Sequence, residues 1–418
     1  MKGSRDATIR RAAPLPAALK SRLRDVRATR AIWSAFRARQ VENEYRARRE
    51  HYNARAETLG LRYSEAWTIS NVRQRLAARG YTPPRRERGD VHTFAMFPLY
   101  GWHEHLLPDL RELGRVTHFD YHSLGFRFEE LSRPGAHAAA RREEMFRFVL
   151  PALTAAHSRR AVDWIFCYGG GQDLSPDLLR AITEQLGIPI VNMSLDDKQG
   201  WAGKSSSRWR TGAVDITALT DLYMTSARVA CEWHMIEGGR PVYLPAGFDA
   251  AAFAPRRLAR DLPVSFVGAA YGFRRSLVDF LKRHGVDVRT FGSGWTGGGW
   301  IEDPVDVFNR SGVNLGMGGI EYSEELTNLK GRDFEIPGTG GGAYLTSFNS
   351  DLARHFVIGE EILCYRSRDE MLELIRHYLA HPEDAGAIGA RGRARALREH
   401  RWLHRYETIL GILGVLEA

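Results

Sequence analysis

Cysteine is scarce. Cys167, Cys231 and Cys364 are the only three in 418 residues, far apart and odd in number, which argues against a disulfide framework or a zinc knuckle and fits a reducing compartment. Long apolar runs are missing too, and no stretch approaches the roughly 18 consecutive apolar residues of a membrane-spanning helix. The first residues, MKGSRDATIRR, lack the apolar core of a secretory signal. An unprocessed, cytoplasmic chain is expected, with peripheral attachment to a membrane left open. What is present is the mix of a soluble globular protein, 44% hydrophobic and 26% charged. At roughly 100–200 residues per domain, the length calls for two domains and extra material.

Acidic residues are thin near the amino terminus. The first ninety residues hold 22 Lys+Arg against 9 Asp+Glu, in a chain whose net charge is +9, so the remainder is net acidic. Such a basic block suits an anionic surface, lipid or nucleic acid, or forms the solvated side of helices. From Leu15 to Arg79 apolar residues recur at three- and four-residue steps, which predicts two or three helices. They form an extension over 1–88, ended by the prolines and charges at 81–89, and are candidates for self-association through Trp33, Phe36, Tyr45 and Trp67.

Beyond it, short apolar strands alternate with helices. One set has strands ending near Pro98 and at 116–119, 161–168, 188–193 and 222–225, with helices at 106–113, 176–186 and 228–237. A second has strands at 264–267, 286–291, 313–315, 343–346 and 361–365, with helices at 275–284, 369–380 and 382–400. This is the pattern of βαβ units. The fold class is therefore α/β, with two Rossmann-like, doubly wound parallel sheets over 89–250 and 251–400 and a last helix at 401–418 that has room to cross back. Ligands of open α/β sheets lie outside strand C-terminal ends, so the site is expected in the cleft between the domains.

The segment 329–348, LKGRDFEIPGTGGGAYLTSF, gathers Lys330, Arg332 and Glu335 before a glycine run. The backbone of Thr339, Gly340 and Gly341 could approach phosphate, the cations could neutralise it, and Glu335 could accept from ribose hydroxyls. The competing reading is a helix end with a glycine cap and a surface ion pair.

This segment, together with VSFVGAAYGFRRSLVDFL from Val264, FGSGW from Phe291 and EEILCYRSRDEMLELIRHYLAHPE, resembles the CgeB-like spore-maturation glycosyltransferases, relatives of the retaining group 1 enzymes. The resemblance covers about 163–410. It implies the GT-B fold, a nucleotide-diphosphate-sugar donor in the C-terminal domain, an acceptor of unassigned chemistry in the N-terminal one, retention of configuration, and no metal or further cofactor. Carried over, Glu335 is the ribose-binding acid of the family's Glu-x7-Glu motif. Thr327 stands where its first acid belongs, which leaves Glu321, Glu324 or Glu325 to reach in. Arg274 or its neighbour Arg275, beside Gly268 and Gly292, is implied to hold the diphosphate, with Lys330 and Arg332 as further cations.

Other features carry less. Asp196 and Asp197 are adjacent and unsuited to an Asp-x-Asp metal site, and Asp197 is a candidate for the cleft or for capping a loop. His103 and His105 are candidates for a base or a helix start, and 169–171 for a tight turn. Two rivals remain: a nucleic-acid-modifying transferase using the basic extension, and a non-catalytic scaffold that has kept the fold.

Overall fold

A computed structural model describes residues 27–96, 103–131, 136–170, 174–202, 212–296, 301 and 303–416; residues 1–26, Pro98 and Gly171 lie outside them. The N-terminal sheet comprises β1 (Val91–Met96), β2 (Gly114–His118), β3 (Trp164–Tyr168), β4 (Ile190–Ser194), β5 (Leu222–Thr225) and β6 (Pro241–Tyr243), in the order β2-β1-β3-β4-β5-β6. The C-terminal sheet comprises β7 (Leu262–Val267), β8 (Val288–Phe291), β9 (Ser311–Leu315), β10 (Ala343–Ser347) and β11 (Leu363–Tyr365), in the order β11-β10-β9-β7-β8. The strand pairs in both are parallel. The two expected Rossmann-like sheets are therefore present.

Covered on both faces, β1 and β3 are buried at every position, the apolar-run signature of parallel sheets. The helices that matter to the site are α1 (Arg27–Thr58), α2 (Glu65–Ala78), α3 (His103–Leu113), α4 (Ala230–Ile236), α5 (Arg274–Arg283), α6 (Arg332–Thr339), α7 (Arg368–Ala380), α8 (Pro382–Glu399) and α9 (Trp402–Leu413). Helix α7 starts where its composition says it should: the Ser367 hydroxyl accepts from the Glu370 amide.

One apolar cluster runs through both domains. Helix α9 leaves the C-terminal domain and packs on α2 and α3, bringing Tyr406 against Trp164 and Phe166 of β3. Arg401 closes the crossing on Asp109 at 2.7 Å.

The described part of the basic extension, 27–88, docks on the rest of the protein. Arg75 of α2 and Arg79, which follows its last residue, pair with Asp221 at 2.9 and 2.8 Å, and that carboxylate is fully buried. Val72 and Leu76 lie in the shared core. In α1 the ring of Tyr52 is stacked on Trp233 and donates its hydroxyl to Glu237. Among the described residues no helix is long and apolar enough to cross a membrane.

Candidate functional site

The C-terminal ends of β7, β9, β10 and β11 open towards the N-terminal domain. After β7 the chain turns through 268–273 into α5, which begins without a side-chain cap. Gly268 donates to the Phe291 carbonyl at 2.8 Å and accepts from the Trp295 indole at 2.7 Å, while Gly292 packs its backbone on Gly268. Both expected glycines therefore sit at strand C-terminal ends, where their close mutual approach leaves no room for a Cβ on Gly292.

Arg274 opens α5 and is buried, with 8% exposure. Its Nη1 donates to the Ala269 carbonyl at 3.1 Å and its guanidinium lies over the Tyr271 ring at 4.1 Å. Nε has no hydrogen-bond partner, and among the described residues no carboxylate forms an ion pair with this arginine. Burial pulls its pKa below the usual arginine value, Arg332 adds to that, and Tyr271 opposes it. Its neighbour Arg275 is exposed and occupied, donating to Ala270 and Gly294 carbonyls. The two candidates thus separate: Arg275 shapes the loop, and Arg274 is the buried cation.

Arg332, at the start of α6, donates to the Val267 carbonyl at 3.1 Å and reaches Glu335 at 3.3 Å. Arg274, Arg332 and Glu335 thus put two cations and one carboxylate at one end of β7. Asp333 between them is fully buried, accepts from the Tyr344 hydroxyl and the Lys330 amide, and has its pKa pushed up by burial to about 6.

The remaining expectations need correction. Thr339, Gly340 and Gly341 do not cradle a ligand. They form the end of α6, where Gly340 takes a left-handed cap (φ 64°), and they lead into the N-terminal end of β10, away from the face where ligands bind. Thr339 is fully buried, its hydroxyl spent on the Ile336 carbonyl. Asp197 is also fully buried; its carboxylate accepts from Ser194 and Thr225 and meets His234 at 3.1 Å, so it ties the ends of β4 and β5 to α4 and does not line the cleft. Asp196 faces the other domain instead and pairs with Lys330 at 3.3 Å. His103 stacks on His118 at 5.3 Å and His105 lies 5.3 Å from Phe253.

Several interdomain residues carry no motif. Lys198 donates to the Thr327 carbonyl at 2.9 Å, and Asn328 donates to the Leu195 carbonyl at 2.6 Å. Thr327 is at the base of a narrow loop, 320–326, closed by the Gly319–Thr327 bridge and the Ile320 to Leu326 hydrogen bond. Between this loop and the ends of β10 and β11 lies a cavity of about 230 Å³, lined by Phe273, Glu324, Glu325, Thr327, Phe348 and Arg366 among others. Glu324 pairs with Arg368 and Glu321 with Arg37, whereas Glu325 is exposed. Lys198 and Asn328 are legible only once the two sheets face each other. Among the described residues no group of His, Cys, Asp and Glu side chains is arranged to hold a metal ion.

Residues 274–411 match the family described as glycosyl transferase-like, which agrees with the expected glycosyltransferase. No curated protein matches the chain in sequence. Among solved structures, Anabaena HepE in complex with UDP and glucose is 11% identical, covering 78% of this chain and all of its own, with a TM-score of 0.52. The same protein with UDP alone gives 12% identity, the same coverage and a TM-score of 0.51. A glycosyltransferase from Rickettsia africae is 9% identical over 83% of this chain and 94% of its own, with a TM-score of 0.50. At these identities the likeness establishes the fold, which is GT-B.

Proposed function

We propose that the chain is a CgeB-like glycosyltransferase that moves a sugar from a nucleoside-diphosphate donor, held at the C-terminal ends of β7, β9, β10 and β11, to an acceptor bound against the N-terminal domain. The observation that carries this is the charge arrangement at the end of β7: among the described residues buried Arg274 has no carboxylate ion-pair partner, Arg332 pairs with Glu335, and the nearby Asp333 is turned to Tyr344 and the Lys330 amide. A buried cation of this kind is costly unless an anion completes the site. A diphosphate fits that need, and negative charge building on it as the glycosidic bond breaks is what Arg274 and Arg332 would stabilise. Glu335, with 16% of its side chain exposed, is on this reading the acceptor for the ribose hydroxyls. Retention and independence from metal follow from the resemblance to the family and belong to the proposal.

The test is thermal shift against nucleoside diphosphates and their sugars, UDP and UDP-glucose first. A ligand at a hundred times its dissociation constant adds about 2.7 kcal/mol. Absence of a shift with every nucleoside diphosphate would overturn the donor site.

A further inference from the structure

Helix α1 presents one stripe of side chains to the rest of the molecule and touches both domains with it. In its carboxy-terminal half Arg48 donates to the Lys198 carbonyl at 3.0 Å, Tyr52 packs on Trp201 and Trp233, and Arg55 pairs with Glu237 at 2.8 Å. These grip the N-terminal domain. In its amino-terminal half Trp33 meets the Tyr322 ring edge-on at 4.9 Å, Arg37 reaches Glu321 at 3.5 Å, and Glu42 accepts from the Ser323 hydroxyl at 2.6 Å. These three partners are consecutive residues of the 320–326 loop. A helix of 32 residues is about 48 Å long at 1.5 Å per residue, enough to bridge two domains as one rigid rod.

The loop it grips touches the donor site on its other side. Gly272, in the turn that leads to Arg274, comes so close to the loop that a Cβ there would lie 1.6 Å from the Glu321 carbonyl oxygen. The loop also supplies Glu324 and Glu325, and its base Thr327, to the 230 Å³ cavity. Glu321 itself has φ 52°, a conformation that costs a non-glycine residue energy and persists where its surroundings over-determine it. The contacts from α1 fall on that residue and the two after it.

We infer that α1 is an interdomain strap, and that Arg37 and Glu42 are positioning residues that hold the 320–326 loop against the donor-binding turn. This rests on the donor-site reading above. The strap acts on the nucleotide through the loop, without touching it.

Hydrogen exchange on the ligand-free full chain tests the strap by itself. In R37A/E42A, exchange over 319–327 is expected to accelerate at least tenfold while β3 and β4 keep wild-type protection; unchanged exchange in the loop overturns the inference. With UDP as probe, the same variant should bind about three- to tenfold more weakly, and the charge-swapped pair R37E/E321R should recover more affinity than R37E alone. A loop that loosens with no change in UDP affinity also overturns the positioning role. Should the wild type bind no nucleoside diphosphate, the donor-site reading fails, and the exchange result still decides whether α1 holds the loop.

Discussion

At the scale of single residues, Arg274 and Glu335 make opposite demands on stability and chemistry. Among the described residues Arg274 has no ion-pair partner, and its charge is disfavoured by burial, so Arg274→Ala should leave the melting temperature within a few degrees of wild type. Turnover should fall more than donor affinity does, because the charge matters most as the diphosphate departs. Unfolding calorimetry beside steady-state kinetics checks both halves, and a variant with normal turnover removes Arg274 from the reaction. Glu335→Ala should weaken UDP binding by about 1.5–3 kcal/mol, the value of a charged hydrogen bond, read by titration calorimetry; equal affinity in a folded variant would exclude the ribose contact. Both residues were singled out through the resemblance, Arg274 by its spacing from Gly268 and Glu335 by its place in the Glu-x7-Glu motif. Thr339, Gly340 and Gly341 were misread for a physical reason: a glycine run serves a helix cap and a phosphate cradle alike, and only the position of β10 after it tells which end of the sheet it occupies.

The elements themselves were mostly legible. Strand β5 lies where its apolar run predicts, at 222–225, because parallel strands buried on both faces are short uninterrupted apolar segments. Helix α6 was legible only as the competing reading of its segment, a helix end with a glycine cap and an ion pair, which is what Gly340 and the Arg332–Glu335 pair form. The contact between the 268–273 turn and the 320–326 loop, which depends on Gly272, was not legible. That residue has φ +59° and no room for a Cβ, so Gly272→Ala should push the two segments apart. The backbone term alone costs roughly 1–2 kcal/mol, before the clash is counted. The variant should fold with a lowered melting temperature and lose UDP affinity by tenfold or more; wild-type affinity would show that the turn and the loop act independently.

For the whole molecule the sequence misled most about the amino terminus. A surplus of arginine reads as a surface for anions or as the solvated side of helices, yet Arg75 and Arg79 pair with the buried Asp221 and Arg55 pairs with Glu237, and partners so distant in the chain cannot be read from local pattern. The same long-range packing sets the pH response of the interdomain joint. His355 bonds Tyr243, and His400 meets the His355 carbonyl and Arg405. Burial first, and then Arg405, hold both imidazoles neutral with pKa values of about 3; Arg395 presses on both and Arg354 on His355. An unfolded histidine titrates near 6.5, so the unfolded chain takes up these protons first. Stability is full above that pH and is lost as pH falls from about 6.5 towards 3, by up to roughly 1.4 kcal/mol per pH unit for each histidine. The stability difference between His400→Asn and wild type, followed by urea unfolding, should therefore shift in the variant's favour across that window; a difference independent of pH would mean that His400 carries no such linkage.

Removing the extension is the sharpest test of how the molecule is built. A chain beginning at Arg88 looks, from composition, like a clean catalytic core. In the structure that cut strips Arg75 and Arg79 from Asp221, whose carboxylate is fully buried, and Arg86 from Asp163, which is nearly so. Breaking a buried ion pair by removing one side costs about 3–5 kcal/mol, and two such sites would be broken together. The same cut opens the cluster where Val72 and Leu76 meet α9 and leaves Trp201 and Trp233 without Tyr52. Against a net stability of about 5–15 kcal/mol for a folded protein, these losses suffice to unfold the N-terminal domain. Expressed from Arg88, the chain should therefore be insoluble or lack a cooperative melt, whereas the full chain, which keeps α1 and α2, should melt cooperatively. A soluble chain from Arg88 that melts cooperatively and is stabilised by UDP would show instead that the extension is dispensable and that the donor domain stands without it.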